Sequence, residues 1–171
     1  MTIPITDWRT ARSQIGALGA AEGNELDFNI GTQEAIEIAS IAGHLAFGTI
    51  TSAATILTRL AQQSVRIEDG TVETLSLDET DADAFDNDSE VIFEHFLNGI
   101  AFDGTTEGGA AIDGVNYERV FAEPILSPIN LTHHVINEGS VSAVTAVVII
   151  EYRYVRLTTQ ELAFQFARRR R

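Results

Sequence analysis

The stretch SAVTAVVIIEYRYVRL, residues 142 to 157, restricts the fold more than any other part of the chain. Val144, Ala146, Val148, Ile150, Tyr152 and Tyr154 alternate with Thr145, Val147, Ile149, Glu151, Arg153 and Val155. Side chains along a strand point to opposite faces in turn, so this is an extended element. Its first half is apolar on both faces, which requires a central strand or one covered by a neighbour. Its second half is apolar on one face only and should be half-exposed.

Shorter runs repeat the pattern. In EAIEIASIAG, Ile36 and Ile38 share one face and Glu37 and Ala39 the other. HLAFGTI and the residues around TILTRLA continue as apolar, Thr-rich segments broken by Gly43 and Gly48. In SVRIEDGTVETLSL two alternating runs flank Asp69-Gly70, a strong hairpin signal because both residues accept the backbone angles of a tight turn. NYERVFAEPIL and PINLTHHVINEG are strand candidates that Pro124 and Pro128 confine to sheet edges or strand starts. Asn137 to Ser140 reads as a turn. The segment SEVIFEHFLNGIAFD supports two assignments. Its Val, Ile and Phe favour a strand; a cap at Asp88 or Ser89, the set Ile92, Phe93, Phe96 and Leu97, and the stop at Asn98-Gly99 suit a short helix. Residues 78 to 90 and 103 to 114 are acidic and Gly-rich loops. Thr158 and Glu161 stand at capping-box spacing, so a short helix should begin near Thr159. Residues 1 to 30, weakly periodic and Gly/Ala-rich, read as an N-terminal arm or lead-in, leaving 31 to 171 as one β-sandwich domain.

At 171 residues with 44% hydrophobic residues the chain is the size of one ordinary domain with a real core. Its apolar runs are far shorter than the roughly 20 residues a membrane-spanning helix needs, and MTIPITDWRTAR does not read as a secretory signal. Membrane insertion is therefore not expected. Cysteine is absent, which removes disulfides, thiolate catalysis and Cys-type zinc sites. The formal net charge is −14, and every basic residue is Arg. Such a body repels nucleic acid and anionic membrane. An acidic, lysine-free composition is typical of extreme halophiles, whose surface carboxylates hold ions and are screened by them. A high-GC genome, which favours Arg codons over Lys codons, is the other explanation.

Few residue patterns carry chemistry. His133 and His134 invite comparison with the metal-binding jelly rolls of cupin enzymes, but ligands sharing a strand face must be two apart, and these are adjacent. The expected arrangement is one histidine packed in the sheet and the other in solvent or at an interface. Asp86, Asp88 and Glu90 cluster oxygen ligands as a calcium loop does. Counted from Asp86, however, an EF-hand meets Val91 where Gly belongs and Leu97 where Glu belongs. A solvated acidic loop is the simpler reading, with those three residues as weak cation ligands in high salt. No G-x-S-x-G, G-x-G-x-x-G or Walker A pattern occurs. No cofactor is expected, and no catalysis. The run Arg168, Arg169, Arg170, Arg171 has three readings: a nucleic-acid arm, a segment docking on acidic surface of a neighbouring copy, or a frayed solvated end. Because the only abundant anionic surface in the sequence is its own, nucleic acid is the weakest of the three.

Short strands, Gly- and Asp-rich turns and scarce helix predict an all-β sandwich, for which an eight-stranded jelly roll with a short C-terminal helix fits the length. The acidic lysine-free composition, the Pro-broken run PILSPINLTHHVINEG and the final strand SAVTAVVIIEYRYVRLTT resemble the small single jelly-roll capsid proteins of haloarchaeal viruses. That resemblance implies a capsid subunit of an icosahedral shell in the virion, with further copies or other virion proteins as partners. A decoration, turret or tail component of a tailed virus is the alternative within the class. A cupin-like metal-dependent enzyme and a monomeric β-sandwich binding module are the alternatives outside it.

Overall fold

The computed structural model describes residues 2–17, 21–47, 59–67, 91–98, 115–137 and 144–169. Within them the chain forms, in order, β1 (Ile3–Pro4), β2 (Arg9–Ala17), β3 (Ala21–Leu26), β4 (Glu34–Phe47), β5 (Arg59–Ile67), β6 (Val91–Asn98), β7 (Val115–Ser127), β8 (Leu131–Asn137), β9 (Val144–Arg156) and the helix α1 (Thr159–Arg169). Pairing is nested: β2 lies antiparallel to β9, β3 to β8, β4 to β7 and β5 to β6. This is the pattern of one long hairpin whose arms pair from the ends inward. Antiparallel contacts of β4 with β9 and β5 with β8 then roll the hairpin up. The products are a sheet ordered β2-β9-β4-β7, with β1 on the same edge of β9 as β2, and a sheet ordered β3-β8-β5-β6. Eight strands wound in this order make a jelly roll, the all-β sandwich the sequence predicts.

β9 lies between β2 and β4, so both its edges are bonded, as its doubly apolar first half requires. Val144, Ala146, Val148 and Ile150 face the opposite sheet and are fully buried, while Ile149 on the outer face stays 45% exposed. β4 packs beside it with a change of phase: Ile36 and Ile38 point inward, then Ile41 and Leu45 do. The cause is a bulge, for the register with β9 slips by one residue between Ile38 and Ser40. Facing them, Val65, Phe93 and Leu131 complete the main core. Each such side chain contributes about 1.5–3 kcal/mol through the apolar surface it removes from water.

Pro124 sits inside β7, an edge strand, as the sequence requires. The β4–β7 register breaks between the pairs Ile38↔Ile125 and Ser40↔Val120, so Phe121 to Pro124 leave the ladder and the missing amide hydrogen of Pro124 forfeits no ladder bond. At the other end α1 is fastened as predicted. Thr158 Oγ1 accepts from the Glu161 amide at 3.3 Å, and a Glu161 carboxylate oxygen accepts from the Thr158 amide at 2.9 Å. Leu162 then packs with Leu126 onto Ala35, Val155 and Leu157, covering one end of the larger sheet's outer face.

Two expectations are corrected and one open assignment is decided. Within the arm expected over residues 1–30, residues 9–17 and 21–26 are β2 and β3, one in each sheet. Their inward positions Ala11, Ser13 and Asn24 are small or polar, which hides the alternation from a hydropathy reading. Gly43 does not break β4, because it is paired on both sides, with Val148 and Tyr117. Residues 91–98 are a strand and not a helix: Phe93 and His95 both face inward opposite Val65 and Gln63. The Asp69-Gly70 hairpin, the loops at 78–90 and 103–114, and the turn at 138–140 lie outside the described residues. Among the described residues no helix is long and apolar enough to cross a membrane.

Candidate functional site

A belt of polar side chains crosses the interior of the roll. In the larger sheet one cross-strand row runs Ser13–Val148–Gly43–Tyr117. In the facing sheet Asn24 is opposite His133, and Gln63 is opposite His95. Because Gly43 has no side chain, the interior has a gap at that row. The Gln63 amide and the Phe93 ring fill it: a Cβ on Gly43 would stand 2.6 Å from Gln63 Nε2 and 2.6 Å from Phe93 Cζ.

Hydrogen bonds join the polar groups end to end. Asn24 Nδ2 donates to Ser13 Oγ at 2.9 Å. Ser13 Oγ lies 3.0 Å from His133 Nδ1, His133 Nε2 lies 3.3 Å from Gln63 Oε1, and Gln63 Nε2 lies 3.3 Å from His95 Nδ1. The His95 ring stacks on Tyr117 with centroids 5.6 Å apart. Gln63 and His133 have no exposed surface, and His95 is 7% exposed. A buried polar atom left unpaired costs about 1–3 kcal/mol, so each member depends on its neighbours. Burial, and then the neighbouring His134, pulls His133 down from the ordinary imidazole value to about 3. Burial, and then His44, also lowers His95.

Sequence reasoning singled out His133 and His134 but expected one of them in solvent or at an interface. They do lie on opposite faces of β8, yet both are buried, at 0% and 3% exposure. The outer face around His134 is itself buried and polar, with Gln62, Ser64 and Thr132 beside it. Ser13, Asn24 and Gln63 were missed altogether. The signal available was parity: Gln63 sits between Ala61 and Val65, and His133 between Leu131 and Val135, at positions where an inward strand face is otherwise apolar. Among the described residues no group of three His, Asp or Glu side chains is placed to hold a metal ion. Asp86, Asp88 and Glu90 lie outside the described residues, as do Arg170 and Arg171, whereas Arg168 and Arg169 form the last turn of α1.

A second feature lies on the surface around the end of β9. Ile3, Ile5, Trp8 and Phe164 are exposed there, Ile3 and Phe164 by about two-thirds. A groove of about 300 Å³ separates α1 from the N-terminal segment, lined by Thr2, Leu126, Gln160, Glu161, Phe164 and Gln165. Beside it Arg153 Nε donates to Glu37 at 2.8 Å, and the guanidinium carbon stands 4.5 Å from the centroid of the Trp8 ring. Exposed apolar side chains and the Arg153–Glu37 ion pair thus share this end of the larger sheet.

No protein-family model matches the chain, and no curated protein matches it. Among solved structures, a chain described as the structure of infectious bursal disease virus Gx strain is similar over 96% of this chain, at 16% identity and a TM-score of 0.21. The match spans 42% of that longer chain. The nested strand order, not this likeness, establishes the jelly roll.

Proposed function

We propose that the chain is a virion structural protein, a capsid subunit that assembles by lateral contacts of its β-sandwich into an icosahedral shell. The observation that carries the reading is the complete nested strand order, a jelly roll to which the described residues add a two-residue strand, β1, and a helix ending in arginines. A two-sheet roll with a polar belt through its interior, open to solvent only at Asn24 and Tyr117, offers sheet faces and edges for contact. Symmetric repetition of modest contacts between such faces gives a stable shell. The apolar surface at Ile3, Ile5, Trp8 and Phe164 supplies one such contact. Residues Arg168, Arg169, Arg170 and Arg171 supply another, forking onto carboxylates of a neighbouring copy. Contacts of that kind that exclude water are screened little by salt. In this reading the partners are further copies and other virion proteins, the composition reflects a haloarchaeal host, and cations bind at most weakly at Asp86, Asp88 and Glu90. No cofactor or catalysis is assigned.

Light scattering of the purified protein at high and low salt tests it. The expected result is a megadalton species that dissociates as salt falls. A monomer of 18.6 kDa under both conditions overturns assembly. Electron microscopy separates the variants of the reading, since a regular lattice favours the shell and isolated vertices or tails favour a turret or tail component. Stoichiometric transition metal lost on His133→Ala or His134→Ala would favour a metal enzyme instead.

A further inference from the structure

The histidines are concentrated in one place. The chain has four, and with no lysine or cysteine it carries no other side chain that ordinarily titrates between pH 5 and 8. His133 and His95 belong to the buried belt, joined through Gln63. His134 follows His133 on the other face of β8. His44 bonds Asn116 at 2.7 Å, and Asn116 adjoins the Tyr117 on which His95 stacks.

The bonds of the belt run in one direction. Asn24 Nδ2 can only donate, so Ser13 Oγ accepts from it and turns its own hydrogen toward His133 Nδ1. His133 Nδ1 is then an acceptor, which leaves the proton on Nε2 to be donated to Gln63 Oε1. The Gln63 amide nitrogen in turn donates to His95 Nδ1, which must also be an acceptor. The tautomers follow from the network: both imidazoles are neutral, with the proton on Nε2. A proton added at His95 Nδ1 would face the Gln63 NH2 donor to donor. Turning the Gln63 amide over relieves that conflict only if His133 moves its own proton from Nε2 to Nδ1 at the same time. A proton added at His133 Nδ1 can be donated to Ser13 Oγ only after the hydroxyl hydrogen has turned away from the ring. With both imidazoles charged, Gln63 has one carbonyl oxygen for two facing N–H groups and cannot satisfy both.

We infer that this one-way chain is an acid-sensitive seam between the two sheets, closed while His95 and His133 are neutral and opened when they take up protons. The groups facing it agree. β2, β3 and β9 present Ser13, Asn24 and Val148 there, none of them charged. From β7 come Tyr117 and Arg119, whose Nη1 donates to the Ile92 carbonyl at 3.1 Å and places a fixed cation at the same rim. β4 contributes His44. Arg66, Glu94 and His134 stand on the outer face of β5, β6 and β8, across the sheet from the belt. No inward carboxylate among the described residues is placed to pair with an imidazolium at His133. The sign follows from the depressed values of both groups: their contribution is complete above the ordinary imidazole range, near pH 6.5, and is lost as pH falls, because the unfolded chain binds protons that the fold does not.

The test is the stability of the full chain at constant high salt between pH 7.5 and 5, read by denaturant titration with Trp8 fluorescence. Carboxylates titrate near pH 4, below this window. Below pH 6.5 the folding equilibrium constant should fall about tenfold per pH unit for each proton excluded. His133→Gln and His95→Gln should each flatten that slope by up to one proton, and His44→Gln, outside the chain of bonds and only the lesser cause of the lowering at His95, should flatten it less than either. Equal stability from pH 7.5 to 5, or a slope removed by His44→Gln alone, overturns the seam. Should the belt variants fail to fold, imidazole NMR of the unaltered protein decides: ordinary titration of His95 and His133 near pH 6.5 in the intact fold also overturns it. The measurement reads the subunit's own fold, so a protein that stays monomeric, against the assembly reading, still shows or lacks this slope.

Discussion

The ring of Phe93 packs directly on the backbone of Gly43, its Cζ 2.6 Å from the place a Cβ would occupy, with the Gln63 amide beside it. A glycine here keeps open the space that lets Gln63 reach from one histidine to the other. Gly43→Ala should therefore destabilise by about 1–3 kcal/mol, the usual cost of adding a methyl to a filled core. Gly16, on β2, has nothing within 4 Å of a Cβ, and Gly16→Ala should be neutral or slightly stabilising. Denaturant midpoints of the two variants make the comparison, and equal effects would mean that the interior yields at Gly43.

Ser13 is the relay between Asn24 and His133. Ser13→Ala removes the donor that His133 Nδ1 accepts from and leaves a buried lone pair unmatched. The expected loss is about 1–3 kcal/mol, although the substitution removes little volume and lies on a strand at the sheet edge. Ser13→Thr keeps the hydroxyl and should retain most of the stability. Calorimetric melting of both variants checks this, and equal losses would assign the effect to packing.

How legible this was in the sequence depended on side-chain contrast. β9 was plain because Val, Ile and Tyr alternate with Thr, Glu and Arg, and α1 because Thr158 and Glu161 announce its start. The phase change in β4, from Ile36 and Ile38 to Ile41 and Leu45, is visible in the letters and marks the bulge at Ala39. β2 escaped because its inward residues before Ile15 are Ala11 and Ser13, whose outward neighbours are no more polar than a loop would be. β6 was ambiguous because Ile92, Phe93, Phe96 and Leu97 satisfy a helical period as well as a strand. The belt was the least legible feature: its members are scattered over β2, β3, β5, β6 and β8, and only the nested pairing brings them together. Local patterns report which face of a strand is buried; they do not report which strands will face one another.

On the outer face of the larger sheet Glu37 holds two elements. Its carboxylate accepts from Arg153 Nε at 2.8 Å and from Thr2 Oγ1 at 2.7 Å, and it is only 8% exposed. Glu37→Gln keeps the shape but removes the charge that Arg153 pairs with. We expect a loss of about 1–2 kcal/mol, less than for a fully buried pair because Arg153 retains access to water. Trp8, the one tryptophan in the chain, reports the local change, since the guanidinium over its ring depends on that carboxylate for its position. Its emission should shift in Glu37→Gln and in Arg153→Ala alike, and a double-mutant cycle should give a coupling near the single-variant loss. Additive effects would mean that the pair contributes no more than its separate contacts.

The last prediction concerns the arginines that follow Ala167. α1 is held to the sheet by Leu162 and by its cap at Thr158, both well before Arg168. Removing residues 168–171 therefore leaves the anchoring contacts in place, and the melting temperature should stay within a few degrees of the full chain. The deletion also makes an already acidic protein more negative, which strengthens repulsion between copies. If the arginines pair with carboxylates of a neighbour, the concentration needed for assembly should rise at least tenfold. Phe164→Asp, which puts a carboxylate into the exposed apolar surface on the same helix, should act in the same direction. Light scattering against protein concentration measures both. Unchanged assembly after the deletion, with assembly lost in Phe164→Asp, would place the contact at the apolar end alone and return the arginines to a solvated role.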